Sequence, residues 1–210
     1  MNKGISIIIK IILIGISVAL AYYIIAGILK PIRLEHESEK RLSLTKQRLK
    51  DIRTAQVAFK EKNGVYTPSF DELIKFLTTD SMRLVKVSGD IPDSLTEVQA
   101  IKLGLFSRDT SYIFVKDTLF KDLHYVLDSI RYVPVGTKVK FVMDTATIIS
   151  SSTVPVKVFQ AYALYEDILF GMDRQYIINF KAKEKEIRKD STLRVGSITE
   201  INNNAGNWGE

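Results

Sequence analysis

Residues 11–29 read Ile-Ile-Leu-Ile-Gly-Ile-Ser-Val-Ala-Leu-Ala-Tyr-Tyr-Ile-Ile-Ala-Gly-Ile-Leu, 19 positions without a charged side chain, closed by Lys10 and Lys30. A helix rises about 1.5 Å per residue, so this run is about 28 Å long, close to the roughly 30 Å hydrocarbon core of a bilayer. It therefore predicts a membrane-spanning helix, with the rest of the chain held at a membrane surface. The positions that mark the predicted span are Ile11, Gly15, Ala19, Tyr22 and Leu29.

A cleaved signal peptide is the alternative interpretation of this run. Signal peptides have a shorter apolar stretch and a small-x-small cleavage site, whereas this run exits through Ile28-Leu29-Lys30-Pro31. We therefore expect a retained anchor, although Ala19, Ala21 and Ala26 keep cleavage open. Gly15 and Ala19 have the four-residue spacing that lets a partner helix approach closely, and contact with lipid is the alternative for that face.

The flanking charges do not decide the orientation of the anchor. Two lysines and the amino terminus precede the run, and four basic residues follow it between Lys30 and Arg41. By this count the C-terminal side would be cytoplasmic, but large domains cross membranes regardless of charge.

Composition limits the chemistry and the partners. The chain has a net charge of +6 and no cysteine, which excludes disulfides and thiolate metal sites. Between Lys30 and Lys62, ten basic residues accompany five acidic ones. This basic stalk either attracts anionic lipid head groups, at about 1 kcal/mol per well-placed cation, or is a solvated helix face. No nucleic-acid partner is predicted, because no base-reading pattern accompanies the charges.

An amphipathic basic helix is predicted to continue over residues 31–62, after a kink or short break at Pro31. Its apolar stripe, spaced by three and four positions, consists of Leu42, Thr45, Leu49, Ile52, Ala55 and Phe59. We expect Leu42, Leu49, Ile52 and Phe59 to pack this stalk against the head, while packing against a partner helix is the alternative. Asn63-Gly64 is a helix-ending signal.

Residues 63–201 are predicted to form the α+β head domain. Ser69 and Glu72 form a capping box for a second helix, a strand is expected at Met82–Val87, and a third helix is expected to start at Asp93 or Ser94. Its candidate buried residues are Leu95, Val98, Ile101 and Leu103. Further strands are predicted at Tyr112–Val115, Tyr125–Val133, Lys138–Met143, Val154–Tyr162, Tyr176–Phe180 and Leu193–Ile198. Lys181–Asp190 is expected to be an exposed helical turn or a loop.

The predicted fold class is therefore α+β. It combines a long N-terminal helix, transmembrane over 1–30 and amphipathic over 31–62, with a small head of short helices and an antiparallel β-sheet. The last nine residues, 202–210, form an Asn-rich tail with the chain's one tryptophan. The default expectation for such a tail is a frayed terminus. The alternative is a docking segment in which Asn204 supports a turn and Trp208 buries its ring.

No catalytic residue, metal site or cofactor is predicted. The two histidines, His36 and His124, are far apart in the sequence, which does not support a metal site. Neighbouring carboxylates such as Asp71 and Glu72 point apart on a helix, and no phosphate-binding or nucleophile motif occurs. An enzyme using carboxylates brought together by folding is the least favoured hypothesis.

One stretch resembles a known family. Residues 49–68, Leu-Lys-Asp-Ile-Arg-Thr-Ala-Gln-Val-Ala-Phe-Lys-Glu-Lys-Asn-Gly-Val-Tyr-Thr-Pro, are similar to the end of the long helix in type IV pilins and type II secretion pseudopilins. The resembling turn consists of Asn63, Gly64, Tyr66 and Pro68. The resemblance implies an N-terminal helix carrying an α/β head with an antiparallel sheet. The family's cleavage pattern, Gly before Phe-Thr-Leu-x-Glu, is missing, because Gly4 precedes a carboxylate-free run of Ile and Ser.

The expected function is that of a non-enzymatic structural component of an envelope assembly, such as a secretion or pilus-type apparatus. The protein would span the cytoplasmic (inner) membrane once, with its head outside the cytoplasm. Its expected partners are the lipid bilayer and, through the N-terminal helix, further copies of itself or another protein. The alternative is a membrane-tethered extracytoplasmic binding module for a small ligand or peptide. Its pocket would be lined by Phe159, Tyr162, Tyr165 and Tyr176, although ordinary core is the favoured role of these aromatic residues.

Overall fold

One continuous helix, α1 (Lys3–Asn63), organises the molecule in the computed structural model, which describes residues 3–90, 96–121, 123–136, 138–150 and 153–209. Its 61 residues span about 90 Å at the usual helical rise. Of the two alternatives predicted at Pro31, a kink or a short break, the break is wrong, because the helix continues through Pro31. Proline has no N–H to donate to the carbonyl of Gly27, so the helix tolerates the loss of one main-chain hydrogen bond there.

The end of α1 and the start of α2 (Phe70–Thr79) lie where the sequence predicts them. Gly64 adopts φ +73°, the left-handed conformation that glycine reaches without a steric penalty. Ser69 caps α2 by accepting the N–H of Glu72. In the predicted capping box, the N–H of Ser69 would donate directly to the Glu72 side chain. Here the Thr67 hydroxyl lies between them, because it accepts from the N–H of Ser69 and donates to the Glu72 carboxylate at 2.6 Å.

After α2 the chain forms a two-stranded arm. Strand β1 (Ser81–Gly89) pairs antiparallel with β2 (Phe106–Phe114) over its whole length, and α3 (Glu97–Lys102) connects them. The predicted start of the third helix at Asp93 or Ser94, and the predicted burial of Leu95, lie outside the described residues. The expected burial of Val98, Ile101 and Leu103 is wrong, because all three are exposed. This short helix packs on β2, and Ala100 is its buried residue.

The main sheet has three antiparallel strands in the order β3-β4-β5. They are β3 (Val142–Ile149), β4 (Pro155–Leu164) and β5 (Thr192–Gly196). The predicted strands at Val154–Tyr162 and Leu193–Ile198 are confirmed, whereas Lys138–Met143 overlaps β3 only at its end. The short helices α4 (Val115–Leu119) and α5 (Tyr165–Ile168) follow β2 and β4 directly.

Two predicted strands are helical instead. Tyr125–Val133 contains a 3₁₀ helix, Leu127–Arg131. Tyr176–Phe180 lies in α6 (Arg174–Arg188), which also takes in most of the charged segment expected to be a turn or loop. A five-residue apolar run fits either element by pattern alone. Asp173 favours the helix here, because its carboxylate accepts the N–H groups of Gln175 and Tyr176.

The hydrophobic core lies between the second half of α1 and the main sheet. Leu49, Ile52 and Ala55 are fully buried from the helix side. From the sheet, alternate residues of β4 and β5 point inward, and they are Phe159, Ala161, Ala163, Leu193 and Val195. The same helix that carries the apolar N-terminal run is therefore the central helix of the head.

Candidate functional site: the anchor helix and its contacts with the head

The first part of α1 stands apart from the head. Among the described residues, α1 is the one helix long and apolar enough to cross a membrane, and none of its most apolar window is buried inside the protein. The predicted positions Ile11, Gly15, Ala19, Tyr22 and Leu29 all lie exposed on this part. An apolar surface of this length that the head does not cover is compatible with a membrane anchor.

The second part of α1 packs against the head through the predicted stripe. Leu49 and Ile52 are fully buried, while Leu42 and Phe59 are partly buried against the same core. The ring of Phe59 meets Phe76 of α2 edge-on, with 5.3 Å between ring centroids. The face proposed for a partner helix is therefore occupied by the protein's own head.

Sequence reasoning missed a polar residue in this interface. Gln56 is fully buried, and its amide brackets the main chain of Thr67. Its Nε2 donates to the carbonyl of Thr67 at 2.6 Å, and its Oε1 accepts the N–H of Thr67 at 3.2 Å. The spacing in the sequence could have indicated it. Gln56 lies four positions after Ile52 and three before Phe59, on the same face of the helix as the apolar stripe.

The Asn63–Pro68 turn connects α1, the sheet and the tail. Tyr66 is buried, and its ring packs on Phe159 of β4 at 4.8 Å between centroids. Its hydroxyl accepts a hydrogen bond from the Asn204 side chain at 3.1 Å. Asn63 donates from its side chain to the carbonyl of Phe59, and Pro68 is exposed just before the cap of α2. The turn thus fixes where the chain leaves α1.

Most cations described in the basic stalk have partners in the head. Arg41 donates to the carbonyl of Phe170 at 2.8 Å, Arg48 donates to the carbonyl of Ser129, and Lys62 pairs with Asp80 at 2.8 Å. Lys62 is 32 residues beyond Lys30, or about 48 Å along the helix, several Debye lengths at physiological salt. Only the first turns of the stalk are near the end of the apolar run.

Helix α6 lies beside those first turns. The Lys30 ammonium pairs with Asp173, which caps α6, at 2.9 Å, and the Ser38 hydroxyl is 2.7 Å from that of Tyr176. The hydrogen bond from Lys30, with those from the α6 N-terminus, lowers the pKa of Asp173. The head is thus bonded to α1 at the edge of the predicted span.

A pocket of about 470 Å³ opens between α1, α4 and the segment before the 3₁₀ helix. The Arg48 guanidinium stacks over the Tyr125 ring, 3.4 Å from its centroid, and the Tyr125 hydroxyl donates to Asp51 at 2.6 Å. Burial, followed by the Asp51 carboxylate, raises the pKa of Tyr125, and burial lowers that of Arg48. Lys121 and His124 also line the opening.

The aromatic pocket proposed from the sequence is not formed. Phe159 and Tyr165 are buried in the core, because alternation along β4 turns Phe159 inward and α5 begins with Tyr165 facing the core. Tyr162 and Tyr176 are half-buried, and Tyr176 faces α1 instead of a shared cavity with the others.

The tail packs on the head instead of fraying. Gly206 forms a bridge opposite Val195 at the edge of β5. The Asn207 side chain accepts from the N–H of Arg194 and donates to the carbonyl of Thr192. The Trp208 ring is partly buried against the core and covers Gly206, where a Cβ would lie 2.4 Å from the ring. The predicted docking residues therefore contact the protein's own head.

Within the described ranges, no three His, Asp or Glu side chains come together as a metal site. Comparison of the chain with models of protein families, with curated proteins and with solved structures found no match.

Proposed function

We propose that this chain is a single-pass membrane protein in which the apolar part of α1 anchors the α+β head. The observation that carries the proposal is the division of one helix into an exposed apolar part and a part buried in the head. Water would hydrate about 19 exposed apolar residues unfavourably, whereas lipid would cover them without cost.

The proposed role is that of a structural, non-enzymatic component of an envelope assembly of the pilin or pseudopilin kind. The head would lie outside the cytoplasmic membrane. Support comes from the long helix, the Asn63–Pro68 turn and the antiparallel sheet packed on the helix. The small residues Gly15 and Ala19, which are exposed, would provide a contact for another copy or a partner helix in the bilayer.

A topology map tests the anchor and its orientation. Reporters fused after Lys62 and at Glu210 should both be active outside the cytoplasm, and the protein should resist extraction from membranes by carbonate. Extraction by carbonate would contradict the anchor. Two cytoplasmic reporters would contradict the placement of the head outside the cytoplasm and, with it, the pilin-like arrangement.

The second candidate is a membrane-tethered binding module, and the pocket beside Arg48 favours it. Its volume falls within the range usual for small-ligand sites. Crosslinking in membranes separates the two functions, since ladders of multimers or one specific protein partner support assembly and a monomer supports a receptor. A ligand should raise the unfolding midpoint of the parent chain but not of Leu44→Trp, whose larger ring would fill the rim.

A further inference from the structure

Helix α6 runs alongside the membrane-proximal turns of α1 in the same direction. Near the start of α6, Tyr176 is bonded to Ser38. Near its end, Glu184 and Arg188 act electrostatically on Lys46 of α1. On α1, Ser38 and Lys46 are eight residues apart, and on α6 their partners Tyr176 and Glu184 are also eight residues apart. The N-terminus of α6 is therefore its end nearest to the predicted span.

The turn that precedes α6 lies close to the predicted membrane surface. Ser38 is eight residues, or about 12 Å, beyond Lys30, and Asp173 lies about 4 Å nearer along the helix axis than Tyr176. Asp173, at one end of the turn, is thus about 8 Å from the level of Lys30, whereas Arg41, which bonds the Phe170 carbonyl at the other end, is 11 residues, or about 16 Å, beyond Lys30. The head-group region extends roughly 5–8 Å beyond the hydrocarbon core on each side. The direct bond between Lys30 and Asp173 agrees with this placement.

This turn presents an aromatic ring on a fixed backbone. Leu169 is fully buried just before it, whereas Phe170 is 64% exposed. Gly171 has φ +80°, which reverses the chain so that Met172 packs back on the core. Arg41 holds the carbonyl of Phe170 at 2.8 Å. The ring is therefore pointed outward by contacts on both sides of it.

Further exposed residues lie on the two helices next to this turn. Ile178, one turn into α6, is 49% exposed, and Arg33 and Arg174 are exposed. Aromatic rings favour the boundary between lipid head groups and acyl chains, and arginine binds lipid phosphate. The same segment also carries three acidic groups: Glu166 is paired with Lys181, Asp173 is paired with Lys30, and Asp167 is partly buried.

We propose that the Phe170–Arg174 turn is a second membrane contact, in which the Phe170 ring inserts at the lipid interface beside α1. This inference rests on the proposed anchor and adds to it. One helix crossing a bilayer leaves the head free to rotate and tilt about its axis. A second contact, about one helix diameter away, restricts both motions and presents one face of the head outward.

Quenching of tryptophan fluorescence by brominated lipids tests this contact on the full chain in phosphatidylcholine vesicles. The chain has a single tryptophan, so Trp208→Phe gives a silent background. Into it are placed, one at a time, Phe170→Trp, Ile187→Trp and Leu20→Trp. Ile187 is the matched control, because it is also 64% exposed but lies at the far end of α6, about 20 Å farther from the membrane. Leu20 reports on the anchor itself.

We expect the Leu20→Trp probe to be quenched by bromines deep in the bilayer and the Phe170→Trp probe to be quenched by bromines near its surface. Quenching of Phe170→Trp should be at least threefold stronger than quenching of Ile187→Trp. Quenching of Leu20→Trp alone would overturn this inference and leave the anchor standing. Equal quenching at positions 170 and 187 would overturn this inference, because it would show that the N-terminus of α6 is not its end nearest to the membrane. No quenching at position 20 would overturn the proposed anchor as well. Unchanged circular dichroism of each variant shows that the head is folded.

Discussion

Gln56 shows how one buried amide positions a whole connection. It satisfies both the N–H and the carbonyl of Thr67, and Thr67 in turn links Ser69 to Glu72 at the start of α2. Buried main-chain groups need partners, because leaving one unpaired costs about 1–3 kcal/mol. The path from α1 into α2 therefore depends on this side chain as well as on the Gly64 turn and the buried Tyr66.

Gln56→Leu should destabilise the head by about 2–4 kcal/mol, since it keeps the volume but strands two main-chain groups. Urea unfolding of the full chain in detergent micelles measures the loss. Gln47→Leu is the matched control on the same helix, because Gln47 is exposed, and its effect should stay within about 0.5 kcal/mol. Equal effects of the two variants would contradict the role given to Gln56.

At the scale of elements, the interface between α1 and the sheet holds the head to its anchor. Ile52 is fully buried there, and an unpaired ammonium at that depth is strongly unfavourable. Ile52→Lys should therefore cost about 4 kcal/mol or more and make the head sensitive to limited proteolysis. The protein should still sediment with membranes, because residues 11–29 are unchanged.

Thr54→Lys is the control for this substitution, since Thr54 is exposed on the same helix. It should leave the protease resistance unchanged. A resistant Ile52→Lys head would show that α1 and the sheet are not joined as described.

The attachment of α6 to α1 should depend on pH through Asp173. Its pKa is lowered from its ordinary value of 3.8, first by the hydrogen bond from Lys30. A carboxylate whose pKa is lowered by folding stabilises the fold above its ordinary value and loses that contribution as the pH falls through the lowered one. Asp173→Asn keeps the capping oxygen but removes the charge. Its unfolding midpoint should lie below that of the parent at pH 7, and the gap should close below pH 4.

Asp167 is a control of opposite sign, because burial and the nearby Glu166 raise its pKa. Asp167→Asn should therefore not lower the midpoint at pH 7. A gap between Asp173→Asn and the parent that is the same at pH 7 and at pH 2.5 would contradict the ion-pair explanation.

Elements with strong local signals could be predicted from the sequence. The end of α1 at Asn63, the cap at Ser69 and strand β4 each depend on nearby residues. Tyr125–Val133 and Tyr176–Phe180 could not be assigned, because short apolar runs fit strands and helices equally well and tertiary contacts decide between them. The pocket beside Arg48 is formed by α1 and residues from the range 118–134. A local sequence pattern does not predict contacts between segments so far apart in the chain.

At the scale of the whole molecule, the β1–β2 arm joins the main core through Met82 at its base, whereas the tail packs on the head along β5. Ala100 and Phe106 are buried within the arm but lie outside the main core. At its base, the N–H of Val115 donates to the carbonyl of Asp80 at 3.1 Å, so the two ends of the arm are already adjacent. The tail instead pairs with β5 and with Tyr66.

Replacing residues 83–112 with an Asn-Gly turn should therefore move the unfolding midpoint by less than about 4 °C, equivalent to roughly 1–2 kcal/mol for a chain of this size. Deleting residues 202–210 should lower it further, although fewer residues are removed. Thermal unfolding followed by circular dichroism in micelles compares the two. A larger loss from removing the arm would show that the arm supports the core.

The dual use of α1 has a consequence for biosynthesis. Leu49 and Ile52 leave the ribosome about 140 residues before Leu193 and Val195, the strand residues that cover them. At 5–20 residues per second, the apolar stripe waits roughly 7–30 s for its partners. During that interval a holdase chaperone or the translocation machinery has to shield it, so depletion of such a factor should cause the newly made chain to aggregate.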